Sequence, residues 1–419
     1  MPLTKVSFSV IQVANNVTST TVGNTTSIPS ITFDQNGVIT SASNTAISGA
    51  GITANTVANS AFQTGSVENY MRGANLDFGM RNRIINGAMV ISQNTGTSSV
   101  TVTTNQYTLD RWRSLSSPGS KYSVQQNAGS VTPPAGFTNY FGVTSLSAYS
   151  VSSGDYQGLV QKIEGYNIAD LTWGTASARP VTLSFWVRSS LTGTFGGSLF
   201  NAAHDRSYPF TYTISSANTW EQKSITIAGD TTGTWLTDNS VGIQVNFGLG
   251  VGSGLSGTAG AWSGSQLFSA TGATSVVGTN GATFYVTGVQ LEEGSQATSF
   301  EYREYGAELR MCQRYFIRTN PTGISGAGGL GGAYFSSTDA GFSYNYPVTM
   351  RAAPTVTRSS AGGNGDTFWV SNLTATSSGT SNSVNPGTTG MWQQCSAMTS
   401  AQIGHPAFYN GSLQLNAEL

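Results

Sequence analysis

Residues Pro180–Ser190 read PVTLSFWVRSS. Apolar and polar side chains take turns along the stretch, the period of a strand that lays one face on a core. The same texture recurs on both sides of it. VTVTTNQYTLDRWRS (Val100–Ser114), FTYTISS (Phe210–Ser216), WEQKSITIA (Trp220–Ala228), VGIQVNFGLG (Val241–Gly250) and ATFYVTGVQLEEG (Ala282–Gly294) all carry it. Clusters of Gly, Ser, Asn and Pro stand between them. Many short strands separated by turn signals predict a β-sandwich or jelly roll over residues 80–300. The run Gly248–Gly264 holds seven glycines and reads as a long loop beside Trp262.

Composition agrees with an all-β chain. Of 419 residues only 9% are charged, against about 25% in an ordinary soluble domain. Hydrophobic residues make up 38% and aromatics 11%, enough for a packed core. Thr, Val, Tyr and Phe fit a pleated surface. A net charge of −1 without any basic run argues against capture of nucleic acid or an anionic membrane. No apolar run is long enough to span a bilayer as a helix. The opening MPLTKVSFSVIQVANN lacks the apolar core of a secretory leader. Cys312 and Cys395 lie in different segments and define no disulfide framework.

Residues 1–79 differ from the rest, with no Trp and only Lys5, Asp34, Glu68, Arg72 and Asp77 charged. Thin alternating stretches such as SIPSITFDQNGVIT (Ser27–Thr40) predict a hairpin that turns at Gln35–Gly37. Such stretches bury too little in one copy and make better sense as a stem of three chains; the competing reading is a flexible linker. Residues 301–318 continue a charged block, SFEYREYGAELRMCQRYFIR (Ser299–Arg318). Tyr305, Leu309, Cys312 and Phe316 fall on one helical face, which predicts a short helical neck. Residues 319–419 return to strand texture and predict a small C-terminal β-sandwich ending in SLQLNAEL (Ser412–Leu419).

Chemistry is sparse. The two histidines, His204 and His405, sit in loop-like contexts, and Asp205 next to His204 does not make a triad. Zinc spacing is absent. Glu292 and Glu293 are adjacent, so a strand turns them to opposite faces. Glu301, Glu304 and Glu308 read as a solvated helix face. The glycine runs lack the Lys-Ser/Thr of a phosphate loop. The expected catalytic residue set is therefore empty. Aromatics carry the positive signal, because Trp and Tyr suit half-wet surfaces on which a sugar ring stacks. Trp173, Trp235 and Trp262 stand in polar loops of the large domain. Trp369, Trp392, Tyr334, Tyr344 and Tyr346 are the distal counterparts. Trp112, Trp186 and Trp220 read as packing.

Several blocks in order resemble a known family. RNRIINGAMVISQNTG (Arg81–Gly96), YTLDRW (Tyr107–Trp112), LSFWVRSS (Leu183–Ser190) and VTGVQLEEGSQATSFEYREYGAELRMCQRYF (Val286–Phe316) are similar to the carbohydrate-binding-module-like jelly-roll domain of tailed-phage tail fibres. PLTKVSFSVI (Pro2–Ile11) resembles the opening of such fibres, and YPVTMRAAPTVT (Tyr346–Thr357) with LNAEL (Leu415–Leu419) resembles a distal domain appended to them. The resemblance covers about half the chain. It implies a homotrimeric, glycan-binding adhesin of the virion, assembled in the host cytoplasm. Residues 1–79 would join it to tail or baseplate proteins, and the C-terminus would meet the cell. It also admits one structural calcium, with Asp110, Asp155 and Glu292 as candidate oxygen ligands; the competing reading makes them ordinary turn carboxylates. No other cofactor is implied. The chain departs from polysaccharide-cutting spikes in leaving no room for a long β-helix before residue 80. A structural spacer and a tail hydrolase remain the alternatives.

Overall fold

The computed structural model describes residues 27–35, 39–46, 80–319, 330–360, 366–370, 376–396, 406–409 and 411–419. It divides into two compact units, Met1–Arg72 and Gly73–Leu419. The described part of the first is an antiparallel hairpin of β1 (Ser27–Phe33) and β2 (Ile39–Ala46), with Ile31 opposite Ala42 and Phe33 opposite Ile39. The expected turn residues Asn36 and Gly37 lie outside the described residues. Ile31, Phe33 and Ile39 are exposed on the single chain, at 41%, 59% and 41%.

The second unit begins with a sandwich of two six-stranded sheets. Its strands are β3 (Val100–Thr101), β4 (Gln106–Leu109), β5 (Trp112–Ser117), β6 (Tyr122–Gln126), β7 (Phe141–Ser145), β8 (Tyr156–Glu164), β9 (Val181–Ser189), β10 (Gly193–Phe200), β11 (Ser207–Ile214), β12 (Glu221–Ile227), β13 (Val241–Val251), β14 (Ser256–Gly257), β15 (Ser269–Ala270) and β16 (Thr283–Glu293). One sheet runs β11-β10-β13-β8-β5-β4, the other β12-β9-β16-β7-β6-β3; β14 and β15 form a separate short pair. The alternation seen in the sequence sets the faces. Leu183, Phe185 and Val187 meet Leu159, Phe195, Leu199, Val245 and Phe247 in one core. Trp186 departs from its expected core place. It follows the alternation instead, falls on the outer face and is half-buried. The predicted glycine loop starts later than Gly248, because β13 runs through Val251 and takes a bulge between Gly248 and Gly250.

After β16 comes one helix, α1 (Tyr305–Gln313). It ends before Phe316, which enters β17 (Phe316–Arg318). The helix does not stand free: Cys312 and Tyr315 are buried against Ile85 and Ile91 of the segment that precedes β3. Cys312 is a free thiol. Glu304 is exposed, as expected, but Glu301 and Glu308 are not on a solvated face. The Glu304 side chain caps the helix by accepting from the Gly306 and Ala307 amides, each at 2.9 Å, which holds its carboxyl below the usual range. Glu308 accepts the Asn86 amide and Glu301 the Asn82 amide, and both face Arg303.

The remaining strands are β18 (Leu330–Tyr334), β19 (Ala340–Asn345), β20 (Thr355–Ser360), β21 (Asp366–Val370), β22 (Thr376–Pro386), β23 (Gly390–Ser396), β24 (Pro406–Tyr409) and β25 (Gly411–Asn416). Where two stacked sheets are expected, six of these close into a barrel, β18-β19-β23-β22-β21-β24, beside a three-stranded sheet β17-β25-β20. Closure pairs the edges that a small sandwich leaves open. Leu413, Leu415 and Ala417 alternate into the core they share with Tyr334, Phe342 and Met391. No helix among the described residues is long and apolar enough to cross a membrane.

Candidate functional site

Pairing register assembles a row of side chains on the outer face of the first sheet. Phe200 of β10 lies opposite Gln244 of β13, which lies opposite Lys162 of β8. One row along, Asn246 lies opposite Val160, and Val160 opposite Arg113 of β5. All point away from the core, because their strand neighbours Leu199, Val245 and Ile163 fill it.

The glycine-rich segment after Val251 folds back over part of this face. The Gly252 amide donates to Asp155 O at 2.9 Å and the Gly254 amide to Ser153 O at 3.0 Å. The Asn246 side chain donates to Phe268 O at 2.6 Å. Phe268 then stacks on Tyr156, with ring centres 4.9 Å apart and planes at 18°, and takes Phe200 edge-on. The uncovered part is a cleft of about 150 Å³. Leu115, Phe200 and Phe268 supply apolar surface, and Tyr156 a half-buried ring. Asn105, Arg113, Lys162, His204, Gln244 and Gln266 supply polar groups.

These groups are held in place. Asn105 donates to the Tyr156 hydroxyl at 3.2 Å. The two ring nitrogens of His204 sit 2.9 Å from the Gln244 amide and 2.7 Å from the Gln266 amide. Burial first, and Lys162 second, push His204 below its ordinary value, so the ring is neutral at pH 7 and serves as one donor and one acceptor. Burial, and then Arg113 and Arg111, pull the Lys162 ammonium down to about 8. Lysine-selective NMR is therefore expected to show one ammonium with a midpoint near 8, lost in Lys162→Gln. A midpoint above 10 for every lysine contradicts that environment.

The aromatics singled out in the sequence lie elsewhere. Trp173, Trp235 and Trp262 come together as an edge-to-face trio, with centres 4.7, 5.3 and 5.5 Å apart. Trp173 and Trp235 are buried and Trp262 is partly buried. Each indole N–H is taken by a backbone carbonyl, of Arg179, Thr232 and Ala228. Their expected exposure is thus corrected, because three loops converge and bury them. In the barrel Tyr334 and Tyr346 are buried and Tyr344 is half-buried. The side chain of Trp369 lies outside the described residues. Trp392 is 40% exposed, with Phe335 beside it at 6.4 Å.

The calcium candidates do not gather. Asp110 accepts from both the backbone and the side chain of Gln93, and from the Asn94 amide. Asp155 accepts from Tyr149 and Ser152, and the Tyr149 hydroxyl holds its carboxyl below the usual range. Glu292 accepts from Gln290 and Thr298. No two share a partner, and among the described residues no group of three His, Cys, Asp or Glu can hold a metal ion. These three carboxylates do not fit one calcium site.

A second depression of about 110 Å³ is lined by Phe137, Phe300 and Tyr302 together with Glu301, Arg303 and Glu308. Its two carboxylates are the ones tied to Arg303 and to the Asn82 and Asn86 amides, which suits structure better than proton transfer. Sequence reading passed over Tyr156, Gln244 and Lys162. The available signal was amides alternating with core residues in VGIQVNFGLG.

No protein-family profile matches the chain, and no curated protein does. Several solved structures match part of the chain. The enzymatically active domain of tailspike protein 4 from bacteriophage CBA120 is 13% identical with a TM-score of 0.28, over 51% of this chain and 22% of that one. TmCBM61 in complex with β-1,4-galactotriose is 10% identical with a TM-score of 0.26, over 51% and 99%. A putative sugar binding protein from Bacteroides thetaiotaomicron is 10% identical with a TM-score of 0.28, over 51% and 100%. This chain thus spans about a fifth of the tailspike domain. At such scores the likeness identifies no ligand.

Proposed function

We propose that the chain is a tailed-phage fibre protein that holds a host-surface glycan, without cleaving it, in the cleft beside Tyr156. The observation that carries the reading is the lining. A half-buried ring and apolar floor lie among three amide side chains, and no carboxylate among the described residues lines the cleft. Rings take the C–H face of a sugar and amides take its hydroxyls. Cleavage of a glycosidic bond needs two carboxylates across it. Binding full-length protein to host polysaccharide tests this. Tyr156→Ala is expected to weaken binding roughly tenfold, the worth of one stacked ring, while the polysaccharide keeps its length. Shortened polysaccharide would show an enzyme. Undiminished binding by the variant would move the site to the Trp392–Phe335 pair, exposed rings among the described residues of the barrel.

The same reading makes the fibre a trimer attached through residues 1–79. Its support is the hairpin of β1 and β2, because two strands with exposed Ile31, Phe33 and Ile39 are marginal alone in water. Sedimentation is expected to give three copies for the native chain, and a lighter species for Phe33→Asp. A native monomer would rule the trimer out.

A further inference from the structure

We infer that the cleft selects acidic glycans, with Arg113 and Lys162 gripping an anionic substituent of a sugar whose ring lies against Tyr156. The inference rests on the proposed glycan cleft and adds its substrate class. Among the described residues two cations line the cleft and no carboxylate does. They sit on neighbouring strands of one face. Arg113 pairs with Val160, two residues from Lys162, so their Cα atoms are about 7–8 Å apart, within reach of a single anionic group.

The surrounding carboxylates are already engaged. Glu418 acts on Lys162 behind burial, Arg113 and Arg111, and it is paired with Arg111. Asp205, next to His204, accepts the Asn201 amide at 2.6 Å. Lys162 donates to the Leu419 backbone oxygen at 2.8 Å. Arg113 has no side-chain hydrogen bond or ion pair among the described residues. Two half-buried cations side by side repel each other, and after burial itself Arg113 is the next cause that pulls the Lys162 ammonium down. An anion placed between them relieves that repulsion, while a neutral sugar does not. Arg113 brings a planar fork that matches carboxylate, phosphate or sulfate in two bonds. The exposed Gln266 amide, held by His204, remains for ring hydroxyls.

The test uses the full chain and two matched pairs of probes. Polygalacturonate is compared with its carboxyl-reduced neutral form, and dextran sulfate with dextran; the pairs separate a carboxylate from a sulfate. At least one acidic polymer is expected to bind about tenfold tighter than its neutral partner, the worth of a hydrogen bond to a charged group. Arg113→Gln and Lys162→Gln are each expected to remove that advantage, bringing the acidic polymer down to the affinity of its neutral partner, while a native urea midpoint for each variant reports an intact fold. Equal affinity for both members of each pair, with Tyr156→Ala weakening both, would overturn the acidic selectivity and keep the glycan cleft. Acidic binding that Tyr156→Ala does not touch would overturn both, leaving only a charged surface. Binding to none of the four would likewise end both readings.

Discussion

Replacing Trp173 with alanine is expected to cost ~3–5 kcal/mol of folding stability and to leave glycan affinity as it was. The indole is buried, meets Trp235 and Trp262 edge-on, and donates to Arg179 O at 2.7 Å. Truncation removes that packing, opens a cavity and orphans a partly buried carbonyl. A loop tryptophan that stacked on sugar would behave the other way. Its alanine variant would unfold at the native urea concentration and lose binding. Urea midpoints together with binding measured well below the transition separate the two. A variant of native stability with lost affinity would return Trp173 to the list of sugar-binding residues.

The contrast shows what a sequence of this kind carries. Strand texture was legible because side-chain alternation is local: Leu183, Phe185 and Val187 all point inward from one stretch. Loop tryptophans were not, because their burial depends on loops that meet only through the fold. Trp173 follows β8, Trp235 precedes β13 and Trp262 lies between β14 and β15. The cleft was hidden for a similar reason. Phe200, Gln244 and Lys162 become neighbours only through the register of three strands far apart in sequence. The charged block before β17 was legible as a helix and Glu304 as exposed, yet Glu301 and Glu308 were misread as solvated. Their partners, the amides of Asn82 and Asn86, belong to a segment more than two hundred positions earlier. The barrel was half legible. Strands could be seen, but closure is a property of pairing order.

Removing the Glu418 carboxylate should be as costly as removing Trp173, for an electrostatic reason. Arg111 is buried between β4 and β5, and its ion pair with Glu418 is enclosed, with side chains 1% and 3% exposed. The guanidinium also lies over the Tyr315 ring, 3.6 Å from its centre, and donates to Lys162 O. Burial pushes the Glu418 carboxyl up and Arg111 draws it back down, whereas Arg111 itself is held charged by Glu418 against its own burial. Glu418→Leu strands that charge away from water, a loss of ~3–5 kcal/mol. The pair as a whole is worth far less, because desolvating two ions offsets most of their attraction. Arg111→Met combined with Glu418→Leu is therefore expected to recover most of the stability that either single change removes. The pair ties the end of the last described segment to the sandwich sheet that carries Arg113. Urea unfolding of the two single variants and the double variant forms a cycle with a strong coupling term. If the losses simply add, the ion pair is not what fastens that segment, and the Arg351 bonds to Ala417 O and Glu418 O carry the attachment instead.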